Sequence, residues 1–422
     1  MGGQKIIMQD TELITKKQKL RTLAGKIKWQ IISLLLFSFD SMVLSTIRSA
    51  DATKNKGPKK RLVFIRMDAI GDFILWTSSL EGFLTLYPKH EYNWTLVGNA
   101  LWTDLAKELG VFDEIFPVES NLFGQPRGVK YRKSILAQLK RAPADVVIHP
   151  THSRDFSTGD ALARAIPAEM KIASMGDNAN ASPWQKAIGN RFYSQILPVK
   201  NSSPKNPTME LMRSAEFLSA LSGKTIKATK PDLRKVSLGL HCDLPKEPYF
   251  VIFPGAGWRH REWGFEKFTE VAKDLQQKYG WLCVFCGSDK DRENFSSSIR
   301  NSDLRNLNRT GETTLTELIG LIANAKAVVA NETSAAHIGA ACHVPTVCIT
   351  GGGHYNRFAP WRIELEDLLD LSCVAVPMPC FNCNWNCIYS LRKDNPKPTP
   401  CIANIEAKQV IQRVHQAIEE SI

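Results

Sequence analysis

No uninterrupted apolar run in the N-terminal region reaches the roughly 20 residues that a bilayer-spanning helix needs. The run over 31–39 is apolar apart from two serines and stops at Asp40. A cleaved signal peptide fits poorly, because the basic stretch before the run is too long and no small-residue cleavage site follows it. No internal repeat or low-complexity tract stands out. No GxGxxG follows a strand pattern, which excludes the usual dinucleotide-binding oxidoreductase turn. The chain also has little excess charge outside its N-terminus. Residues 1–60 carry 12 Lys and Arg against four acids, so the other 362 residues hold only +4 of the net +12. That balance weighs against a general nucleic-acid binder.

A length of 422 residues with 43% apolar content implies two or three globular domains. Strand-like runs over 61–66, 92–97, 114–118 and 145–149 alternate with helical stretches, the first over 73–86. The pattern restarts at Tyr249, with strands over 249–253, 281–286, 325–330 and 346–349. Helices are expected over 208–221, 265–278 and 333–342. Strands alternating with helices predict parallel sheets covered on both faces. The segment over 175–207 lacks a period and reads as a long loop. A proline-containing stretch over 225–247 reads as an interdomain linker. The predicted organisation is a tail and linker over 1–60, an N-terminal Rossmann-like domain over 61–235 and a C-terminal Rossmann-like domain over 236–422, the latter with a Cys-rich segment over 373–401. Two such doubly wound domains are expected to face each other across a ligand cleft.

In the tail, Leu20, Leu23, Ile27, Ile31 and Leu34 recur at helical spacing, with six basic residues between positions 16 and 28. This pattern suits the cytoplasmic face of an anionic inner membrane. Packing on the protein's own body or on a second subunit is the alternative. Residues 51–60 read as a flexible linker.

Four motifs carry the chemistry. In Asp68-Ala-Ile-Gly-Asp72, the glycine allows a tight turn, and the carboxylate of Asp72 near a helix start can take a proton from a hydroxyl. The plainer reading is an N-cap aspartate. In Pro254-Gly-Ala-Gly-Trp-Arg259-His-Arg261-Glu-Trp263, Gly255 and Gly257 let backbone N–H groups approach an anion, and Arg259 and Arg261 supply charge for phosphates. An exposed basic loop is the alternative. In Asn331-Glu332-Thr333-Ser334-Ala-Ala-His337, Thr333 or Ser334 can cap a helix whose N-terminus holds phosphate, with His337 one turn on. A capped helix with a buried histidine is the alternative. Two such turns in one sheet point to a diphosphate-bearing ligand. Finally, Cys380, Cys383, Cys387 and Cys401 have a spacing that suits structural zinc or iron through four thiolates. Structural thiols or disulfides are the alternative. His152, Ser153 and Arg154, after a strand end, are candidates for lining a binding edge of the N-terminal half, against the reading of a solvated loop.

In this order, RLVFIRMDAIGDFILWTSSL, PGAGWRHREWGFEKFTEV, VVANETSAAHIGAACHVPTVCITGG and CFNCNWNC with a later PCI resemble glycosyltransferase family 9, the bacterial ADP-heptose:lipopolysaccharide heptosyltransferases. The resemblance covers about residues 61–415. It implies a GT-B fold and inverting transfer, with no cofactor for catalysis, from an ADP-heptose-like donor to a glycan or lipid-linked acceptor. It implies Asp72 as catalytic base and Arg261 at the sugar diphosphate, where the family usually has Lys. It implies Asp291 near the ribose. The late family motif usually reads Asp-Thr-Gly-x-x-His; Glu332 and Ser334 depart from it here. A protein acceptor, or a non-catalytic membrane-tethered nucleotide-sugar-binding protein, are the competing functions. Oligomeric state stays open.

Overall fold

The computed structural model describes residues 16–48, 57–200, 207–240, 242–363, 371–389 and 397–421. Residues 1–15 of the tail, the linker over 51–56 and the side chain of Leu20 lie outside the described residues. Two compact units divide the chain: one from Lys16–Asn201 with Met212–Thr229, the other chiefly from Lys230–Ile422 with Ser202–Leu211.

Each unit is built on a parallel six-stranded sheet. The N-terminal sheet contains β1 (Lys60–Arg66), β2 (Tyr92–Asn99), β3 (Glu114–Val118), β4 (Ala144–His149), β5 (Ala168–Ser174) and β6 (Gln195–Leu197), in the order β3-β2-β1-β4-β5-β6. The C-terminal sheet contains β7 (Tyr249–Phe253), β8 (Leu282–Gly287), β9 (Asn306–Thr310), β10 (Val328–Asn331), β11 (Thr346–Ile349) and β12 (Leu371–Val374), in the order β12-β11-β10-β7-β8-β9. Both are doubly wound, and each reverses strand order next to its first strand, between β1 and β4 and between β7 and β10. The carboxyl ends of strands flanking such a reversal are where α/β sheets bind ligands. The central strands are buried along most of their length, as expected of strands covered on both faces.

The expected strands are present, but four others escaped the pattern. β5, β6, β9 and β12 are short or polar; β9 reads Asn-Leu-Asn-Arg-Thr. The segment expected as one long loop over 175–207 instead holds a helix, Pro183–Asn190, opened by a capping box between Ser182 and Gln185, and then β6. The first expected helix is broken into Ile70–Thr77 and Leu80–Leu86.

The described part of the tail is a 31-residue helix, Lys16–Thr46, that clusters with the N-terminal unit. Over Leu23–Thr46 it is long and apolar enough, by length and composition, to cross a membrane. The expectation from the uninterrupted run missed this, because a single interior Asp40 does not lower a window average by much. The helix packs on the N-terminal unit, as in the alternative reading, but through a face other than the apolar stripe. Ser33, Leu36, Asp40 and Val43 are buried, whereas Leu23, Ile27, Ile31 and Leu34 are exposed. Asp40 explains this. Its two carboxylate oxygens accept from Nε and Nη2 of the fully buried Arg132, both at 2.6 Å, and Nη1 of Arg132 donates to the carbonyls of Phe123 and Ser157, both at 2.7 Å. Ser157 also donates to Ser33, and Arg164 to Ser41.

Breaking such a buried pair from one side leaves an uncompensated charge, at about 3–5 kcal/mol. Arg132→Met should therefore lower the unfolding free energy by that order in chemical denaturation. Adding Asp40→Asn should recover part of the loss. Equal losses for the single and double variants would show that Asp40 is not the group left stranded.

Candidate functional site

In the C-terminal unit, the loop after β7 and the turn after β10 meet at the strand-order reversal. Asn331, the last residue of β10, has no exposed surface. Its amide donates to the carbonyls of Pro254 (2.6 Å) and Gly255 (3.3 Å), and its side-chain oxygen accepts from the Trp263 N–H (3.1 Å). Both ends of the glycine-arginine loop are thus fixed to one side chain. Arg261, within the loop's single 3-10 turn, donates to the Glu332 carbonyl at 2.7 Å and lies 3.4 Å from the Glu332 carboxylate. Its guanidinium also sits 4.8 Å from the centre of the Trp385 ring. Burial pushes the Glu332 carboxyl above its usual range, and Arg261 only partly offsets this.

The glycines differ in role. A Cβ at Gly255 would come within 2.1 Å of the Asp291 carboxylate, and one at Gly287 within 2.7 Å of the Asp291 Cβ, so both are required by packing. A Cβ at Gly257 would meet nothing within 4 Å. Asp291, expected at a ribose, uses one carboxylate oxygen to accept from the N–H (2.7 Å) and hydroxyl (2.8 Å) of Ser288, closing a capping box, and is buried. Arg259 approaches Glu262 at 3.7 Å, and His260 is anchored through Nδ1 to the Lys397 carbonyl at 2.7 Å.

Thr333 occupies the N-cap position of the helix Ser334–Ala341, but its hydroxyl donates to the Asn331 carbonyl instead of accepting from the helix. The first N–H groups of that helix therefore have no side-chain cap, which suits an anion. His337 is buried, and its Nδ1 accepts from the Trp361 indole N–H at 3.2 Å. Burial and then Arg261 push its pKa down to about 4, so it is a neutral imidazole near pH 7. Sequence reasoning missed Trp385 and His354. His354 follows the glycines after β11, bonds to Asn384 at 2.6 Å, and is pushed down to about 4 by burial.

In the N-terminal unit, Asp72 is the third residue of the helix Ile70–Thr77, and Ala69 is the N-cap. The N-cap reading of Asp72 is therefore corrected: the turn after β1 places the cap three residues earlier. The turn is pinned by the Asp68 carbonyl, which accepts from Asn99 (3.1 Å) and from the Trp102 indole (3.0 Å). Arg66 pairs with the Asp68 carboxylate at 2.6 Å and donates to the Asp72 carbonyl at 3.2 Å.

His152, Ser153 and Arg154 do not form a solvated loop; all three are buried. Ser153 donates to Asp177 at 3.0 Å, His152 contacts Arg213, and Arg154 lies over the Tyr193 ring and near Asp160. The chain over 175–190, expected as loop, folds back on them. His149, Tyr193 and Asp160 form a buried chain beside them, with Tyr193 donating to Asp160 at 2.7 Å. Burial lowers the His149 pKa.

Burial raises the thiols of Cys380, Cys383 and Cys387, the last to about 11, with the neighbouring cysteines adding to the rise. Cys401 is buried and lies 3.3 Å from the Thr399 hydroxyl. Among the described residues, no three His, Cys, Asp or Glu side chains converge on a point that could hold a metal ion.

The sequence profile of glycosyltransferase family 9 (heptosyltransferase) matches residues 161–380. The chain belongs to glycosyltransferase family 9. A Campylobacter jejuni relative, lipooligosaccharide heptosyltransferase 2, is 26% identical over 176 residues, 40% of this chain and 50% of the relative. The chain thus spans about half the length of that curated relative. Two solved family structures share the fold. The Veillonella parvula family 9 glycosyl transferase has a TM-score of 0.60 at 16% identity, over 89% of this chain and 100% of its own. The E. coli heptosyltransferase WaaC, solved with ADP-2-deoxy-2-fluoro heptose, has a TM-score of 0.61 at 15% identity, over 86% and 100%. The architecture is GT-B: two Rossmann-like α/β units.

His337 yields a pH test. Its unfolded pKa near 6.5 exceeds the folded value, so the folded state binds fewer protons and stability falls as pH drops from about 6.5 toward about 4. His337→Gln should flatten that part of the stability–pH curve, by up to roughly 3 kcal/mol. Denaturation midpoints across this range would reveal it; parallel curves for the two proteins would refute it.

Proposed function

We propose that the protein is an inverting, metal-independent glycosyltransferase. It moves a heptose from an ADP-heptose-like donor to a hydroxyl of a lipopolysaccharide or other surface-glycan acceptor. The observation that carries this reading is Arg261, fixed at the strand-order reversal of the C-terminal sheet beside an uncapped helix start, within a family 9 chain. That pairing of a charged donor with backbone N–H groups suits a diphosphate. The sugar and acceptor classes come from the relatives, one of which is seen with an ADP-heptose analogue and another named for lipooligosaccharide.

In the proposed step, the acceptor hydroxyl oxygen bonds to the anomeric carbon as the bond from that carbon to the β-phosphate oxygen breaks. The hydroxyl proton passes to Asp72, and the nucleoside diphosphate leaves with the bonding pair. Negative charge grows on the leaving oxygen, where Arg261 supports it. No proposed step runs through the cysteine cluster.

Removing a general base typically lowers turnover by about 10²–10⁴-fold. Asp72→Asn should lower transfer from ADP-heptose by that order while leaving ADP affinity unchanged. Full activity in this variant would overturn Asp72 as the base. Donor binding without transfer in the unaltered protein, on glycan and protein acceptors alike, would favour a non-catalytic binder.

We also infer that the helix Lys16–Thr46 lies on the cytoplasmic face of an anionic inner membrane. Its docked face is filled by Asp40 and its neighbours, while Ile27, Ile31, Leu34 and Leu35 point outward beside Lys26 and Lys28. Ile31→Glu with Leu35→Glu, which spares the docked face, should abolish co-sedimentation with phosphatidylserine vesicles. Undiminished sedimentation would refute the tether.

A further inference from the structure

The Cys-rich segment contains an unusual backbone. Asn382, Asn384 and Trp385 all have positive φ, at 62°, 49° and 55°. Asparagine tolerates the left-handed region, but a bulky aromatic residue there is a genuine outlier and needs support from its surroundings. The support is the run Gly351-Gly352-Gly353 after β11. A Cβ on Gly353 would come within 2.2 Å of the Trp385 indole, and one on Gly351 within 2.7 Å. The backbone N–H of Asn382 donates to the Gly352 carbonyl (2.5 Å), and that of Asn384 to the Gly353 carbonyl (3.0 Å). Gly351 and Gly353 thus form a seat for the indole, Gly352 makes room for the Phe381 ring, and the two asparagine N–H groups hold the segment down on the run.

The seat sets the indole against Arg261. The guanidinium lies 4.8 Å from the ring centre, close enough for a cation–π contact. Arg261 is then held from two sides, by Trp385 on one and by the Glu332 carbonyl on the other. Two polar atoms of this cluster are buried without a hydrogen-bond partner, Arg261 Nε and Trp385 Nε1. Buried polar atoms are rarely left so, and two beside one guanidinium are accounted for by a bound water, ion or ligand. Strained backbone also concentrates at functional sites.

We propose that Trp385 is a positioning residue for Arg261, so that the Cys-rich segment is a working part of the donor-diphosphate site and not only a structural appendage. This rests on the reading of Arg261 as a donor-site residue. The indole fixes the guanidinium plane, so that its free edge meets the leaving diphosphate without a search among rotamers.

The test is a double-mutant cycle in the full-length protein, read as kcat/KM for transfer from ADP-heptose, with ADP affinity and thermal midpoint measured alongside. A cation–π contact of ordinary strength predicts that Trp385→Leu lowers kcat/KM roughly three- to thirtyfold. Trp385→Phe, which keeps a π face, should restore most of it. In an Arg261→Ala background, Trp385→Leu should have no further effect. Additive losses, or Leu and Phe variants that are equally impaired, would overturn the proposal. If Arg261→Ala alone leaves both ADP affinity and transfer unchanged, the donor-site reading itself fails, and that outcome is distinct. Should Trp385→Leu not fold, Trp385→Gly, which suits the positive φ and also removes the π face, carries the same cycle with and without Arg261→Ala.

Discussion

The side-chain amide of Asn331 holds the C-terminal site together. It ends β10, and its three hydrogen bonds reach Pro254, Gly255 and Trp263, which bracket the loop after β7. Each replaces a bond that the loop backbone would otherwise need from water or from another group in a buried place. Leaving these partners unsatisfied would cost about 1–3 kcal/mol apiece. The consequence is geometric. Because one residue grips the loop at both ends, Arg261 in its middle has little choice but to face the residue that follows Asn331, which is Glu332. The glycine-rich loop and the second turn, 70 residues later in the chain, become a single site through one amide.

That closeness explains the electrostatics. Glu332 is buried, and its carboxyl is raised despite the arginine beside it. Desolvation is the leading cause, so the ion pair does not fully repay the removal of the carboxylate from water. A diphosphate arriving at Arg261 would compete with Glu332 for the guanidinium, and a carboxyl already biased toward its neutral form gives way more easily. His337, neutral and held by Trp361, adds no positive charge to the site. The positive charge at this turn is therefore concentrated on the arginines of the loop after β7.

The sequence pattern reached the two α/β halves, their central strands and the turns that carry charge, because each has a local signature: β-branched runs, glycine after a strand, a polar residue at a helix start. It failed where the signature is weak or the decision is tertiary. β9 is polar and lies at a sheet edge. The helix Pro183–Asn190 had a readable start in its Ser-Pro-x-Gln capping box, hidden by the surrounding Asn and Ser. Asp291, read for a ligand contact, also closes a capping box on Ser288 as the third helical residue, a role its local pattern did not separate from the first. No local rule places a tryptophan in the left-handed region. Trp385 is legible only together with Gly351 and Gly353, some 30 residues before it. The burial of His152, Ser153 and Arg154 depended in the same way on a segment whose fold was not read.

The N-terminal helix poses a choice that magnitudes decide. Its composition permits it to span a bilayer, and its outward apolar face would gain from doing so. Spanning would draw Asp40 away from Arg132, leaving a fully buried guanidinium with half of its partners at about 3–5 kcal/mol. It would also take a carboxylate into hydrocarbon, at about 2.5–3.5 kcal/mol near the centre of a helix. Lying on the surface incurs neither cost. The outward residues Ile27, Ile31, Leu34 and Leu35 still leave water, at about 25 cal/mol per Å² of apolar area, and Asp40 stays where it is. The ion pair that hides a charge inside the N-terminal unit is thus also what keeps the helix attached to it. On the proposed membrane reading, contact with a bilayer would be an added interaction of the folded protein, not an alternative to its fold.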